Sequence, residues 1–320
     1  MIDNPGDAAL VAIWSAMAIY TIAFIMFTLD LAKRSASAQQ APVAQTVEVS
    51  RGQIATLEKV QAPAPPERTF RFERIAFSLT VVGWIVHVTA VFLRGIAQGH
   101  VPWSNMFEFS LTASAIIVGV FIFVQLWQNL RFLGAYISGF ALIVLGVGTV
   151  NFYVDVKPLP PPLQSAWLVI HVFVAVLGTS FFAIGAGLSI TQLLQARRAA
   201  GRAVGLRFLQ TLPKADVLEN LAYRLIVVGF VFWTFTLIAG AIWAERAWGR
   251  YWGWDTKEVW TFIIWTIFAG YIHARATRGW RGSRSAWLAI VGFAAVMFNF
   301  TIVNLFFKGL HSYSGLTPPT

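Results

Sequence analysis

Apolar runs of about 20 residues recur along this chain, at roughly 8–32, 74–95, 107–127, 133–150, 164–194, 222–244, 259–275 and 285–307. As a helix rising about 1.5 Å per residue, each can cross a hydrocarbon core about 30 Å thick. Lipid offers no partner to a free backbone amide, and continuous apolar runs of this length satisfy their amides only as helices. Composition agrees, with 57% hydrophobic and 12% charged residues and a mean hydropathy of +0.66. The sequence predicts an all-α polytopic membrane protein of about eight transmembrane helices. Its first run is not a cleavable signal, because MIDNPGDAAL is acidic where a basic segment would stand.

The net charge of +10 is unevenly placed. With the N-terminus outside, inner segments hold 18 of the 24 Lys and Arg. The outer six are Arg94, Lys157, Arg246, Arg250, Lys257 and Lys308. Basic loops stay on the cytoplasmic side, so both termini are expected outside. The basic excess is a topology signal, and nucleic-acid binding is not expected. Four parts follow: an N-terminal transmembrane helix (1–34), a flexible polar, Pro- and Ala-rich cytoplasmic linker (35–73), a seven-helix body (74–313) and an outer tail (314–320). The chain contains no cysteine, so disulfides, thiolate metal sites and thiol exchange by this protein are ruled out.

The loop between the sixth and seventh runs reads WAERAWGRYWGWDTKEVW, Trp243 to Trp260, and falls on the outer side. It packs five tryptophans and six charged residues into eighteen positions. An interfacial aromatic belt accounts for Trp243 and Trp260 at the helix ends, which should then tolerate other aromatics. It accounts poorly for WGRYWGWD. There Gly249 and Gly253 let the backbone turn while Trp248, Tyr251, Trp252 and Trp254 offer flat faces. A flat apolar ligand with polar edges fits such a platform. Arg250 or Arg246 would meet carboxylates on its rim, and Asp255 would orient neighbouring polar groups.

The chain has five histidines: His87, His100, His171, His273 and His311. Ionisable groups inside membrane helices are costly and usually functional. His171 lies about seven residues, or about 10 Å, below the outer start of the fifth run, and His311 lies just beyond the outer end of the eighth. Two imidazoles at the depth of an aromatic platform suggest axial ligation of haem, whereas zinc would want three or four ligands and no stacking surface. His273 lies about 20 Å deeper along the seventh run. If it binds iron, a second site lies near the inner face, and its other ligand comes from another chain.

WGRYWGWDTKEVW resembles the WWD signature of haem-handling proteins, in the form of the CcsA/ResC subunit of the System II cytochrome c synthase. GHVPWSNMFEFS (99–110), PPLQSAWLVIHV (161–172), FAGYIHAR (268–275) and VNLFFKGLHSY (303–313) agree with it in order. Thr256 departs from it, standing where the family usually has proline. The resemblance implies that His171 and His311 hold haem b at the outer face under the loop. His273 would receive haem from the cytoplasmic side with a ligand from a ResB-type partner, often called CcsB. The haem would then be attached to the CXXCH motif of apocytochrome c, kept reduced by thioredoxin-like proteins, with Trp252, Trp254 and Asp255 at the attachment site. Two other classes compete: a quinol-oxidising cytochrome b-type subunit, which would pair its histidines at matched depth, and a haem exporter without ligation activity.

Overall fold

The computed structural model describes residues 4–40, 71–202, 205–277, 279–307 and 309–311. Regular structure among these residues is entirely helical. The helices are α1 (Pro5–Gln40), α2 (Arg71–Gln98), α3 (Met106–Val124), α4 (Gly134–Asn151), α5 (Ala166–Ala199), α6 (Ala215–Trp248), α7 (Thr256–Thr277), α8 (Ser283–Phe300) and the single turn α9 (Ile302–Phe306). Seven of them are long and apolar enough to cross a membrane. The remaining long one, α7, spends its length on Trp260, Trp265, Tyr271, His273 and Arg275, which lower its hydropathy. Its 22 residues still extend about 33 Å.

Helix ends follow local chemistry. The side chain of Asn105 accepts from Glu108 N and caps α3, and that of Ser165 accepts from Trp167 N and caps α5. Gly249, at φ 70° and ψ 20°, ends α6 in the left-handed conformation that glycine adopts most cheaply.

Two expectations about the first helix change. α1 continues through Gln40 instead of ending at residue 34, because Arg34 is held by Asp30 and Glu73 while Ser35 accepts from Phe208 N at 2.9 Å. It is also no appendage to a seven-helix body. Its Phe27 ring lies over Gly134, where a Cβ would come within 2.2 Å, and its Tyr20 OH lies 3.3 Å from His87 Nδ1 on α2. The remainder of the expected linker, 41–70, and the outer tail lie outside the described residues.

The bundle packs through small residues, as close helix approach in lipid requires. α5 runs along α6, with Gly178 against the Gly229 carbonyl and Gly185 against Ile226. At the centre Phe182 and Phe268 stack at 3.6 Å, joining α5 to α7.

A polar clasp closes each end. At one, buried Arg94 donates to Glu108 Oε1 at 2.9 Å and to the Val154 carbonyl at 2.7 Å, while Glu108 Oε2 accepts from Ser104 Oγ at 2.6 Å. At the other, Glu219 accepts from Gly282 N at 3.0 Å, Ser285 Oγ at 3.2 Å and Gln192 Nε2 at 3.3 Å, with Arg275 Nη2 3.9 Å away. Removing one member of a buried pair strands the other charge. Arg94→Met should therefore cost about 3–5 kcal/mol of stability in detergent, and adding Glu108→Leu should recover most of it. A double variant no more stable than the single one would show that the pair does not set this end's stability.

Candidate functional site

Between α3, α4, α5, α6, α7 and α8 lies a cavity of about 220 Å³. Its deep walls are apolar, with Ala113, Ile117, Phe140, Val172, Leu237 and Val296 among the lining residues. Its polar end is lined by His171, His311, Lys257, Glu258, Tyr251 and Trp252.

The two histidines arrive from opposite directions. His171 stands on α5 with Nδ1 3.0 Å from the Thr236 carbonyl of α6. A carbonyl only accepts, so Nδ1 carries a proton, and in the neutral ring Nε2 keeps its lone pair. The approach needs Gly240, one turn along α6, because a Cβ there would lie 2.7 Å from His171 Cε1. His311 follows α9, with Nδ1 2.7 Å from Asp255 Oδ2. The second oxygen of Asp255 accepts from Leu310 N at 3.1 Å. Gly309 admits that carboxylate, since a Cβ would meet Oδ1 at 2.1 Å. The bond from His311 holds the Asp255 carboxyl below its ordinary range. Burial pushes the His311 imidazole below its ordinary value, and the Asp255 bond offsets part of that. At neutral pH His311 therefore presents a neutral ring, and both imidazoles are anchored at Nδ1, the arrangement that aims Nε2 at a metal.

Trp243 joins the two rings. It is 2% exposed, stacks near His171 at 5.9 Å and 17°, and meets His311 edge-on at 5.5 Å. Its Nε1 donates to the Pro162 carbonyl at 3.0 Å. This corrects its reading as an interfacial anchor: it is a wall of the site. Trp260 packs on Phe298 at 4.4 Å.

The loop's other residues separate by position. Tyr251 and Trp252 line the cavity, and Trp248 packs behind His311 at 4.8 Å. Trp254 is 78% exposed, lies outside the lining and meets Trp252 edge-on at 5.9 Å. It takes φ 59°, a left-handed conformation costing a bulky residue about 1–3 kcal/mol. Glu258 holds the loop in that shape, accepting from Gly253 N at 2.8 Å and Asp255 N at 3.0 Å. Arg250 does not reach the cavity rim. Its guanidinium lies over Gly253, where a Cβ would fall 1.4 Å from Nη1, so this glycine serves close approach and not a turn.

His273 stands apart, exposed on α7 and sixteen residues from Lys257, about 24 Å along the helix. His87 is buried with Tyr20 OH and the Leu111 carbonyl at its two nitrogens, which makes it a core residue. Among the described residues no group of three or more His, Asp and Glu side chains forms a metal cage.

A family model described as cytochrome C assembly protein matches residues 103–311, a span that includes His171, His273, His311 and the whole tryptophan-rich loop. The cytochrome c biogenesis protein CcsA of Guillardia theta is 36% identical over 259 residues, covering 76% of this chain and 86% of its own. CcsA of Chlorella vulgaris is 34% identical over 254 residues, covering 70% and 81%. Among solved structures, the cytochrome c haem lyase CcmF aligns with a TM-score of 0.62 at 15% identity. That alignment covers 93% of this chain and 46% of CcmF, so the likeness is one of fold, over about half the length of that protein.

The Asp255 contact gives a signed expectation. Asp255 raises the affinity of His311 for its proton, so Asp255→Ala should lower the His311 pKa further below 6.5. Histidine NMR titration in detergent, assigned with His311→Ala, reads this directly. An upward shift would contradict the contact.

Proposed function

The chain belongs to the cytochrome c assembly protein family, and on that premise we propose that its substrate is haem b, held between His171 and His311 for covalent attachment to apocytochrome c. It is a multi-pass membrane protein of cytochrome c biogenesis. The observation that carries the haem reading is the pair of half-buried imidazoles, each fixed through Nδ1 and each bordering one cavity beside Trp243. That donor set suits iron in a planar ring: two neutral nitrogen ligands, aromatic walls and an apolar interior.

The other residues take roles from their positions. Asp255 is a positioning residue, setting the tautomer and aim of His311. Tyr251 and Trp252 offer faces to the ring at the mouth. Trp254, held outward, offers its face to the arriving CXXCH peptide. Attachment adds each cysteine thiol across a vinyl double bond, sulfur to one carbon and hydrogen to the other, with no net redox change. A chain without cysteine has no thiol of its own to compete for those vinyls, and thioredoxin-like proteins keep the substrate reduced.

His273, exposed on the flank of α7, is open to completion by a ligand from a ResB-type neighbour, which makes it the inner receiving point for haem. The positive-inside distribution supports both termini and the cavity mouth on the outer face of the plasma membrane.

The test is covalent haem on a coexpressed cytochrome c, normalised to the membrane level of each variant. His171→Ala and His311→Ala should each lower it at least tenfold, and free imidazole should restore part by replacing the missing ligand. His273→Ala should lower it as well, by interrupting supply. Undiminished attachment in the His171→Ala/His311→Ala double variant would overturn the reading.

A further inference from the structure

One cation in the cavity wall forms no ion pair among the described residues. Lys257 stands in the first turn of α7, lines the cavity and donates from Nζ to Asn304 Oδ1. Asn304, on α9, also lines the cavity and is held by its Nδ2 donating to the Phe300 carbonyl at 2.9 Å. Two carboxylates are close in sequence, and neither forms an ion pair with Nζ: Asp255 reaches Lys257 only through the backbone N, at 3.4 Å. Asp255 accepts from His311 and Leu310 N, and Glu258 accepts from Gly253 N and Asp255 N. Among the described residues Lys257 forms no ion pair.

Helix stability does not explain this lysine. The start of a helix carries partial positive charge and favours anions, so an ammonium in the first turn is misplaced for α7 itself. A half-buried ammonium also needs compensation, which one neutral amide oxygen supplies only in part. A carboxylate entering the cavity would meet both needs, making a charge-assisted hydrogen bond to Nζ near the positive end of α7.

We propose that Lys257 and Asn304 form a carboxylate-binding corner of the cavity, which takes one haem propionate. This rests on the haem reading above and adds something that reading lacks. Two axial imidazoles fix the plane of the ring but leave it free to rotate about the axis through them. The propionates occupy one edge of the porphyrin and the vinyls the opposite part. Pinning a propionate at the wall formed by α7 and α9 therefore selects one rotation, and with it the direction in which the vinyl groups face. Lys257 is then a specificity-determining residue for which edge of the ring meets the peptide.

The test compares haem with haem dimethyl ester, whose propionates are capped, by equilibrium titration of the full chain in detergent. The wild type should bind haem at least tenfold more tightly than the ester. Lys257→Gln should bring that ratio near one by weakening haem and sparing the ester, and Lys257→Arg should keep most of the preference. His171→Ala should weaken both ligands alike and leave the ratio in place, which separates loss of iron ligation from loss of carboxylate recognition. A ratio that survives Lys257→Gln, an equal loss for both ligands in that variant, or a wild type indifferent to esterification overturns the corner alone. A wild type that binds neither porphyrin overturns the haem reading and the corner with it.

Discussion

The hydrogen bond between Asp255 and His311 ties together two segments that lie far apart in the sequence. Asp255 ends the tryptophan-rich loop at the start of α7, and His311 lies past the last turn of the bundle. A carboxylate in this position also accepts from Leu310 N, so one side chain fixes both the backbone and the imidazole of the C-terminal segment. Glu258, one turn further on, ties the loop's own amides down. The loop carries six charged residues, and two of its carboxylates, Asp255 and Glu258, are spent on holding it in shape. The aromatic faces are left to make the surface.

The rest of the bundle arranges for that end to be both rigid and hollow. Apolar helices bring no hydrophobic force to bear on one another in lipid, so close approach rests on small residues and on polar clasps. The Arg94–Glu108 clasp ties α2, α3 and the segment after α4, and the capped start of α3 carries Asn105 to the cavity. Gly240 performs the reciprocal service on α6, removing a side chain where the His171 ring must sit. Small residues among the large ones, Ala113, Ala175, Gly240 and Ala241, leave room along the cavity wall, while Phe182 and Phe268 stack at the bundle's centre.

Much of this was legible in the sequence, for definite reasons. Hydropathy located all eight long helices, since lipid permits no other backbone arrangement for such runs. Ends of α1, α6 and α8 fall seven or eight residues from the expected ones. Histidine depth placed His171 and His311 together and His273 apart, because rise per residue converts sequence distance into height along a helix. Direction was not legible. Nothing in WAERAWGRYWGWD distinguishes Trp243, turned into the bundle between two imidazoles, from Trp254, held outward in a left-handed turn. Arg250 looked available to a ligand and instead covers Gly253. The seating of α1 against α2 and α4 depended on Phe27 meeting Gly134 more than a hundred residues away, a complementarity that no local pattern encodes. The Asp255–His311 contact left a trace only in the joint presence of WGWD and GLH, whose partnership becomes plain once the chain is folded.

The central claim is that two imidazoles anchored by Thr236 and Asp255 hold one iron between them. Low-temperature EPR of the ferric protein, in a His273→Ala background loaded with haem, tests it most directly. The account predicts a low-spin signal from two imidazole ligands, converted to high spin by either His171→Ala or His311→Ala. A high-spin signal in the unreplaced site, or a low-spin signal indifferent to both replacements, would contradict it.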